Sequence, residues 1–245
     1  MLLPQLTKGI LIRRYKRFLA DVDFNGEVET VHCPNPGAMT GLKDPGMNVW
    51  CSTSDNPARK LKKTLELIEA DGVMVGINTN QPNKLALEAL EAGIIPAFRT
   101  FSAISPEFTY TKGTRFDFRL QNPETGEALY LEVKNVHLAR PDGPNPGAVE
   151  FPDSVTSRGA KHLRILAEIA RKGKKAAMLY VIQRGDGDRF TLADDIDPVY
   201  AEAFMEARAA GVHMEAWRCM VSPDAIKITE AMPMDIASLQ HKRDA

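Results

Sequence analysis

The sequence has few cysteines and no long apolar run. Its three cysteines, Cys33, Cys51 and Cys219, include no C-x-x-C pair, which argues against a disulfide framework and against a cysteine zinc site. The longest apolar run covers residues 176–182, whereas a membrane-spanning helix needs about 20 residues. The amino-terminal segment does not have the pattern of a secretory signal peptide. We therefore expect a cytoplasmic protein with no membrane partner.

The chain also has almost no net charge and lacks the short signatures of several enzyme classes. Its formal net charge is −1 over 245 residues, which excludes a globally basic, histone-like protein. There is no G-x-G-x-x-G fingerprint, no P-loop and no nucleophile elbow, so nothing indicates a small-molecule metabolic enzyme of those classes. With 44% hydrophobic and 26% charged residues, the composition fits one large globular domain or two small ones.

The near-neutral total hides charge that is separated along the chain. Residues 1–63 contain ten Lys/Arg and six Asp/Glu, and residues 154–184 contain eight Lys/Arg and one acid. Residues 185–207 reverse the balance, with seven acids and one base. If the two basic segments converge in space, they form a surface for a polyanion such as nucleic acid. Alternatively, each segment is a solvated face that acidic neighbours neutralise.

Residues 1–80 are predicted to be rich in β-structure. Asn25-Gly26 favours a type I′ hairpin because both residues tolerate positive φ, and Asp71-Gly72 is a similar turn signal. The alternation that starts at Phe18 predicts a buried stripe that includes this ring. Several short strands in so few residues suggest a small barrel or sandwich. The predicted strands cover residues 18–24, 28–32, 47–53, 65–70 and 73–77.

Residues 81–232 are predicted to form a second, mixed domain, followed by a loose tail over residues 233–245. The helix predicted for residues 154–173 has the clearest pattern, with Leu163, Leu166, Ile169 and Ala170 on one face. A loop rich in proline and glycine is predicted for residues 140–147. The other predicted helices cover residues 83–93 and 198–210, and the predicted strands cover 113–121, 128–136, 176–183 and 212–221.

Two of these strands flank the turn sequence Asn-Pro-Glu-Thr-Gly at residues 122–126 and are expected to form a hairpin. If the hairpin is symmetric about its turn, one face carries apolar pairs and the other carries charged residues. The apolar pairs are Phe116 with Val133, Phe118 with Leu131 and Leu120 with Leu129, and the others are Asp117 with Glu132, Arg115 with Lys134 and Arg119 with Tyr130.

The pair Asp117 and Glu132 is the clearest chemical signal. Directly opposed Cβ atoms lie about 4.5–5.5 Å apart, where two carboxylates repel and a divalent cation relieves the repulsion. Mg²⁺ is usually held by one or two carboxylates together with waters and a substrate phosphate. Lys134, on the same face as Glu132, could position a water or stabilise a phosphate in transfer. Alternatively, these charges lie on a solvated face and neutralise one another as diagonal pairs.

The segments Arg115-Phe-Asp117-Phe and Leu131-Glu-Val-Lys-Asn135 together resemble the core of the PD-(D/E)xK nuclease superfamily. The resemblance implies that a helix before the hairpin supplies another acid. Glu88 or Glu91 matches this role, with Glu88 preferred, and either can instead be a surface acid. The resemblance also implies a polar residue on the strand after the next helix, which Gln183 matches, although it can equally be a glutamine at a strand end or edge.

Longer motifs resemble the sugar fermentation stimulation protein A family. That resemblance implies an OB-like N-terminal barrel, a restriction-endonuclease-like αβββαβ domain with a mixed sheet, and DNA binding with little sequence preference. It also implies a link to the regulation of sugar (maltose) genes. The sequence has Pro36 and Ala38 where the family usually has Thr and Ser, which puts any phosphate contact of those hydroxyls in doubt. The motifs lie in residues 11–18, 32–41, 76–79, 131–136 and 151–162.

Candidate DNA-binding residues are basic side chains interleaved with aromatic rings, and basic residues at the start of the predicted helix 154–173. OB barrels stack bases on aromatic side chains beside cations, and helix N-termini favour anions. Tyr15 can equally be a core residue. The candidates are Arg13, Arg14, Tyr15, Lys16, Arg17, Arg59, Lys60, Arg115, Arg158, Lys161 and His162.

Two functions remain open from the sequence. The first is a Mg²⁺- or Mn²⁺-dependent phosphodiesterase that acts on double- or single-stranded DNA. Asp117 and Glu132 would hold the metal, Lys134 would act on water or phosphate, and Glu88 and Gln183 would assist. The second is a non-catalytic DNA-binding regulator that keeps the nuclease-like fold. A homodimer is possible for either.

Overall fold

The N-terminal part of the chain forms a small closed barrel. The computed structural model describes residues 1–236. Strand order in the first sheet is β3-β2-β1-β4-β5-β6, and β3 also contacts β5 through His32 and Thr64, which closes a five-stranded barrel. The predicted OB-like barrel is thus confirmed. The strands are β1 (Leu6–Tyr15), β2 (Leu19–Phe24), β3 (Glu27–His32), β4 (Asn48–Thr53), β5 (Lys63–Ala70) and β6 (Val73–Gly76).

The β2–β3 turn has the predicted chemistry, because Asn25 and Gly26 both have positive φ, 59° and 96°. The prediction that Phe18 is a core residue is wrong, since its side chain is exposed. Lys16 and Arg17 adopt positive φ, so the chain turns there and β2 begins after Phe18. Ala20 and Val22 still fill the barrel interior.

The C-terminal part is a six-stranded mixed sheet with helices on both faces. The strand order is β15-β14-β12-β9-β8-β7, in which β9, β12 and β14 are parallel neighbours and the outer pairs are antiparallel. The order α1-β7-β8-β9-α2-β12 confirms the predicted αβββαβ arrangement. The elements are α1 (Pro82–Glu91), β7 (Ala103–Thr111), β8 (Thr114–Gln121), β9 (Ala128–Val136), α2 (Ser157–Arg171), β12 (Lys175–Ile182), α3 (Pro198–Ala209), β14 (His213–Val221) and β15 (Ile226–Ala231).

A small additional sheet extends this domain. It comprises β10 (Leu138–Ala139), β11 (Ala148–Phe151) and β13 (Arg189–Leu192), and the loop between β10 and β11 contains the predicted 140–147 segment. The backbone of Phe190 exchanges hydrogen bonds with Pro233 and Asp235, at 2.8 Å each, and Ile236 is buried. Residues 233–236 therefore pack against the domain, in contrast to the predicted loose tail, and residues 237–245 lie outside the described residues.

Helix α2 packs as its sequence pattern predicts. Thr156 caps it by accepting the N–H of Gly159 at 3.2 Å, which satisfies one of the free donors at the helix start. Leu163, Leu166 and Ile169 are at most 1% exposed, and each such burial stabilises the fold by about 1.5–3 kcal/mol. This packing brings His162 of α2 within hydrogen-bond distance of Glu132 in β9. Within the described residues, no helix is long and apolar enough to cross a membrane.

Candidate functional site

Strands β8 and β9 separate at Asp117. The predicted register is confirmed for Phe118 opposite Leu131 and for the pairs between there and the turn. It ends at that point, because the side chain of Asp117 accepts the backbone N–H of Val133 through Oδ2 at 2.7 Å. The predicted ladder pair of Asp117 with Glu132 is therefore wrong: a carboxylate, and not a backbone carbonyl, takes the next hydrogen bond of β9.

The same separation alters the predicted apolar face. Phe118 packs on the α1 side of the sheet together with Leu131 and Val133, but Phe116 packs on the α2 side against Tyr130. The predicted pair of Phe116 with Val133 is not formed. The local change of face aims Asp117 at the middle of the sheet instead of at solvent.

Glu132 lies at the centre of the cluster and is only 4% exposed. Its Oε1 atom accepts a hydrogen bond from Lys134 Nζ at 2.6 Å and from His162 Nδ1 at 2.5 Å. Its Oε2 atom is buried and has no hydrogen-bond partner among the described residues. A buried carboxylate oxygen without a partner is costly, so this atom marks a place for a ligand.

The two carboxylates have opposite pKa shifts. Burial raises the pKa of Asp117, and the nearby charge of Glu132 raises it further. Burial also opposes ionisation of Glu132, but Lys134 and His162 together hold the pKa of this carboxyl below its usual value. Asp117 is bound to the backbone N–H of Val133, the residue after Glu132, so both carboxyl groups belong to one cluster although they are not a ladder pair. Opposed shifts within one cluster are typical of functional sites.

The donor set fits an open site for a hard divalent cation. Asp117 and Glu132 supply carboxylate oxygens, and the free Oε2 of Glu132 is the clearest vacant donor. Mg²⁺ and Mn²⁺ need only one or two carboxylates when water and phosphate complete the shell. The described part of the chain holds no group of three His, Cys, Asp or Glu side chains suited to a metal. The cluster is therefore unlike a closed structural zinc site.

Helix α1 reaches the cluster through Asn83 and not through the predicted acid Glu88. Asn83 Nδ2 donates to Asp117 Oδ1 at 2.8 Å. The carboxylate of Glu88 instead contacts the amino terminus of Met1 and is half exposed. Five residues separate Asn83 from Glu88, about 140° around an α-helix, so the two side chains cannot face the same site. The assignment of Glu88 to the catalytic cluster is corrected accordingly.

Gln183 also lies outside the cluster. Its amide donates to Asn135 Oδ1 at 2.6 Å, and Asn135 projects from the opposite face of β9 to Lys134, because neighbouring residues in a strand alternate. Gln183 is fully buried and packs against the backbone of Gly76 in the barrel domain. Its contacts join the two domains, and the structure does not bring it to the predicted catalytic cluster.

A polar network continues from Asn135 to the barrel. Asn135 contacts His137 at 3.0 Å, and His137 contacts Asp153 at 3.3 Å. Asp153 accepts the backbone N–H of Met39 at 3.1 Å, across the domain boundary. Burial would raise the pKa of Asp153, but the contacts with His137 and Met39 lower it to about 2. The network borders a cleft of about 340 Å³ between the domains.

The loop that carries Pro36 and Ala38 is held by backbone atoms. Arg14 donates to the carbonyl oxygens of Asn35 and Gly37, at 2.7 and 2.9 Å. Asp153 anchors the loop from the other domain. These contacts need no side-chain hydroxyl, so the loop is anchored here without the Thr and Ser that are usual at positions 36 and 38. Arg14 thus has a structural role in the loop, and its prediction as a DNA contact stays a prediction.

The remaining basic candidates of the barrel have mixed environments. Arg13 pairs with Asp21 at 2.7 Å, and Tyr15 donates to the same carboxylate at 3.0 Å. Lys16 and Arg17 are exposed in the β1–β2 turn. Tyr15 is half-buried, between the two alternatives that the sequence leaves open.

An aromatic surface that the sequence did not predict lies beside these residues. Phe18 is 45% exposed and stacks on His32 with ring centroids 6.5 Å apart. Arg59 approaches His32 at 3.5 Å and donates to Thr64 at 2.7 Å, and Lys60 is exposed nearby in sequence. The available signal was the position of Phe18 directly after a basic turn.

Four predicted phosphate contacts meet in one pocket beside Glu132. The pocket has a volume of about 300 Å³ and lies between the β7–β8 hairpin and the first turns of α2. The structure therefore brings these residues together, although they come from segments more than 40 residues apart. They are Arg115, Arg158, Lys161 and His162.

Comparison with known proteins covers both domains. The family model described as "SfsA N-terminal OB domain" matches residues 12–77, and "Sugar fermentation stimulation protein RE domain" matches residues 80–225. A sugar fermentation stimulation protein homolog from Maricaulis maris is 47% identical over 95% of this chain and 97% of its own. The homolog from Agrobacterium fabrum is 46% identical over 95% of each chain.

A solved structure supports the same fold. The protein from Pyrococcus furiosus, determined in complex with Ca²⁺, superimposes with a TM-score of 0.85 at 24% identity and covers 96% of this chain and 98% of its own. At this identity the similarity establishes the shared architecture. The two family matches and the near full-length relatives establish more: this chain belongs to the sugar fermentation stimulation protein family.

Proposed function

We propose that the protein is a metal-dependent phosphodiesterase that binds and cleaves DNA with little sequence preference. The observation that carries this proposal is the Oε2 atom of Glu132, which is buried and unpartnered beside Asp117 and Lys134. A protein that only binds DNA gains nothing from two buried carboxylates near its basic residues, because carboxylates repel phosphate.

Each residue of the cluster has a distinct role in this proposal. Asp117 and Glu132 would hold Mg²⁺ or Mn²⁺, which when bound polarises a phosphoryl oxygen and acidifies a water. Asn83 and the N–H of Val133 fix the carboxylate of Asp117. Lys134 places an ammonium next to the site, where it can hold an attacking water or neutralise charge on the phosphate.

The relative with bound Ca²⁺ supports a site for a hard, oxygen-seeking cation in this family. Ca²⁺ and Mg²⁺ both prefer carboxylate oxygens but differ in size and rigidity. We therefore propose Mg²⁺ or Mn²⁺ as the active ion in this chain, with Ca²⁺ as an ion that occupies the same oxygens.

DNA is the proposed substrate because the chain has two basic surfaces, the pocket beside His162 and a face of the barrel. The barrel contributes exposed Arg17 and Lys60 and the ring of Phe18. Stacking of bases on aromatic rings and contacts to phosphate are both tolerant of sequence. The match to an OB domain model supports nucleic-acid binding by this part of the chain. Cytoplasmic location and a homodimer remain predictions.

A non-catalytic regulator of sugar genes is the second candidate. It is favoured by the contacts of Glu132, since Lys134 and His162 already neutralise one of its oxygens. With Glu88 elsewhere, the described residues place two carboxylates at the site, Asp117 and Glu132. A retained but silent nuclease fold would show both features.

Cleavage of plasmid and of single-stranded DNA in Mg²⁺ or Mn²⁺ distinguishes the two candidates. If the protein is a nuclease, the wild type should cleave both substrates and EDTA should abolish the cleavage. Neither Asp117→Asn nor Lys134→Met should cleave them. Glu168→Gln, which changes an exposed acid of α2, is the matched control and should cleave normally. Folded wild-type protein that binds DNA but cleaves neither substrate in either metal would favour the regulator.

A further inference from the structure

The pocket lined by Arg115, Arg158, Lys161 and His162 adjoins the carboxylate cluster, because His162 is bound to Glu132. Strand β7, the turn after it, strand β8 and helix α2 each contribute to its walls, and its volume is about 300 Å³. This is at the small end of ligand sites, which suits a compact group. The lining residues are Thr109, Thr111, Gly113, Thr114, Arg115, Arg158, Lys161 and His162.

The pocket concentrates positive charge. Among the described residues, Arg158 and Lys161 have no ion-pair or hydrogen-bond partner for their side chains, and both are exposed. Arg115 pairs with Glu107 at 2.9 Å, but both side chains are more than half exposed, and such surface pairs are weak. Three cations therefore face a pocket that no carboxylate of residues 1–236 lines.

The position of Arg158 disfavours the helix that carries it. The N-terminal end of a helix is the positive end of its dipole, so Lys and Arg in the first turn are unfavourable. Helix α2 nevertheless has Arg158 as its second residue, Lys161 as its fifth and no acid in its first turn. The carboxylate of Asp197, which caps α3, is buried, accepts the N–H of Thr156 and does not line the pocket. An anion in the pocket would reverse this unfavourable balance.

His162 connects the pocket to the catalytic cluster. Its side chain is 8% exposed, and Nδ1 is bound to Glu132. Its Nε2 atom has no partner among the described residues, and the ring lines the pocket. The pocket and the carboxylate cluster thus share one imidazole as a wall, so two groups bound in them would be neighbours.

We infer that this pocket binds a second phosphate of the DNA strand, next to the phosphodiester at Asp117 and Glu132. This inference rests on the proposed function, because it takes the neighbouring group to be substrate. One guanidinium group can donate two parallel hydrogen bonds to two oxygens of a phosphate. The three threonines of the pocket offer hydroxyl donors. The second phosphate is either an internal diester or a monoester at a strand end, since both present the same oxygens.

Binding of short single-stranded oligonucleotides in EDTA, followed by fluorescence anisotropy, tests the inference without any cleavage. Arg158→Gln/Lys161→Gln removes two charges from the pocket. Arg164→Gln/Arg171→Gln removes two charges from the same helix outside it. We expect the affinity of the pocket variant for the oligonucleotide to fall about tenfold or more. The slope of log affinity against log salt concentration should become less steep by about one to two. Both effects should be clearly smaller in the control variant.

The source of the phosphate is identified by modified oligonucleotides. A single uncharged methylphosphonate is moved along the strand, and strands with and without a terminal phosphate are compared. If the pocket binds an internal diester, a methylphosphonate at one position of the strand should weaken binding to the wild type but not to the pocket variant. If it binds a terminal monoester, the wild type should bind the strand with a terminal phosphate more tightly than the strand without one, and the pocket variant should bind both equally.

Equal losses in the pocket and control variants, or no loss in either, would overturn the inference. So would a pocket variant that melts at lower temperature than the wild type, because removal of these cations should not weaken α2. Failure of the proposed nuclease is a separate result. If the protein does not cleave DNA but the pocket variant loses affinity as expected, the phosphate site stands and the proposed nuclease function fails. If the protein cleaves DNA but the pocket variant binds it like the control, only the inference of a phosphate site fails.

Discussion

The Nδ1 atom of His162 lies 2.5 Å from the Oε1 atom of Glu132, although 30 residues separate them in the chain. Lys134 binds the same oxygen from within β9. With Oε1 engaged twice, the carboxylate is held in one orientation and only Oε2 is left for a ligand. His162 therefore positions the carboxylate of Glu132 through Nδ1, while its ring also lines the pocket in which the predicted phosphate contacts meet.

Substitutions of His162 should show this positioning role. His162→Phe removes the donor, and we expect about a 10- to 100-fold loss of Mn²⁺ affinity, as is usual when a group that orients a metal ligand is removed. His162→Asn keeps an N–H near the position of Nδ1 and should restore most of the affinity. Calorimetric titration with Mn²⁺ measures both. Equal affinity in His162→Phe and the wild type would show that the contact does not orient Glu132.

The charge of Asp117 should oppose DNA binding when no metal is present. In EDTA, Asp117→Ala is expected to bind DNA as tightly as the wild type or slightly more tightly, because a negative charge facing phosphate is lost. Filter binding or anisotropy at fixed salt measures the difference. Weaker binding would mean that Asp117 serves the fold, through Val133 and Asn83, rather than the site.

Phe18 should contribute to binding of single-stranded DNA. Stacking of a base on an aromatic ring is worth about 1–3 kcal/mol, so Phe18→Ala should weaken binding within that range. Val199→Ala is a suitable control, because Val199 is also an exposed apolar residue, 49% against 45%, at the start of α3. Equal affinity of both variants for an oligonucleotide would exclude Phe18 from the interface.

Asp153 should make the protein sensitive to acid. Its pKa in the folded state is about 2, below the usual 3.8, so its stabilising effect is complete above about pH 5 and disappears as the pH falls towards 2. The difference corresponds to about 2 kcal/mol at neutral pH. Asp153→Asn should lose this amount, measured by urea unfolding at pH 7. The difference in free energy of unfolding between the variant and the wild type should shrink as the pH falls. A difference that stays constant with pH would contradict the lowered pKa of Asp153.

Patterns of burial made much of the fold predictable. The apolar alternation in β8 and β9 predicts the register from Phe118 with Leu131 to the turn, since a slip by one residue would expose the apolar face. Strand β7 follows from the family resemblance alone, because no local pattern in its sequence predicts it. It is an edge strand with Pro106 in it and positive φ at Glu107, and edge strands lack the burial that produces a clear pattern.

The site was predictable only where its residues are close in sequence. Glu132 and Lys134 share a face because they are two residues apart, and the turn brings Asp117 near them. The roles of Asn83 and His162 depend on how α1 and α2 pack on the sheet, which no local pattern reveals. Asn83 at a helix start is indistinguishable from an ordinary polar residue of a first turn.

Mn²⁺ binding to the wild type and to Glu132→Gln is the most direct test of the central claim, that Asp117 and Glu132 form a site for a divalent cation. We predict saturable binding by the wild type that is lost in Glu132→Gln and in Asp117→Asn but kept in Glu168→Gln. Binding of equal strength in all four proteins, or no binding by the folded wild type, would contradict the claim.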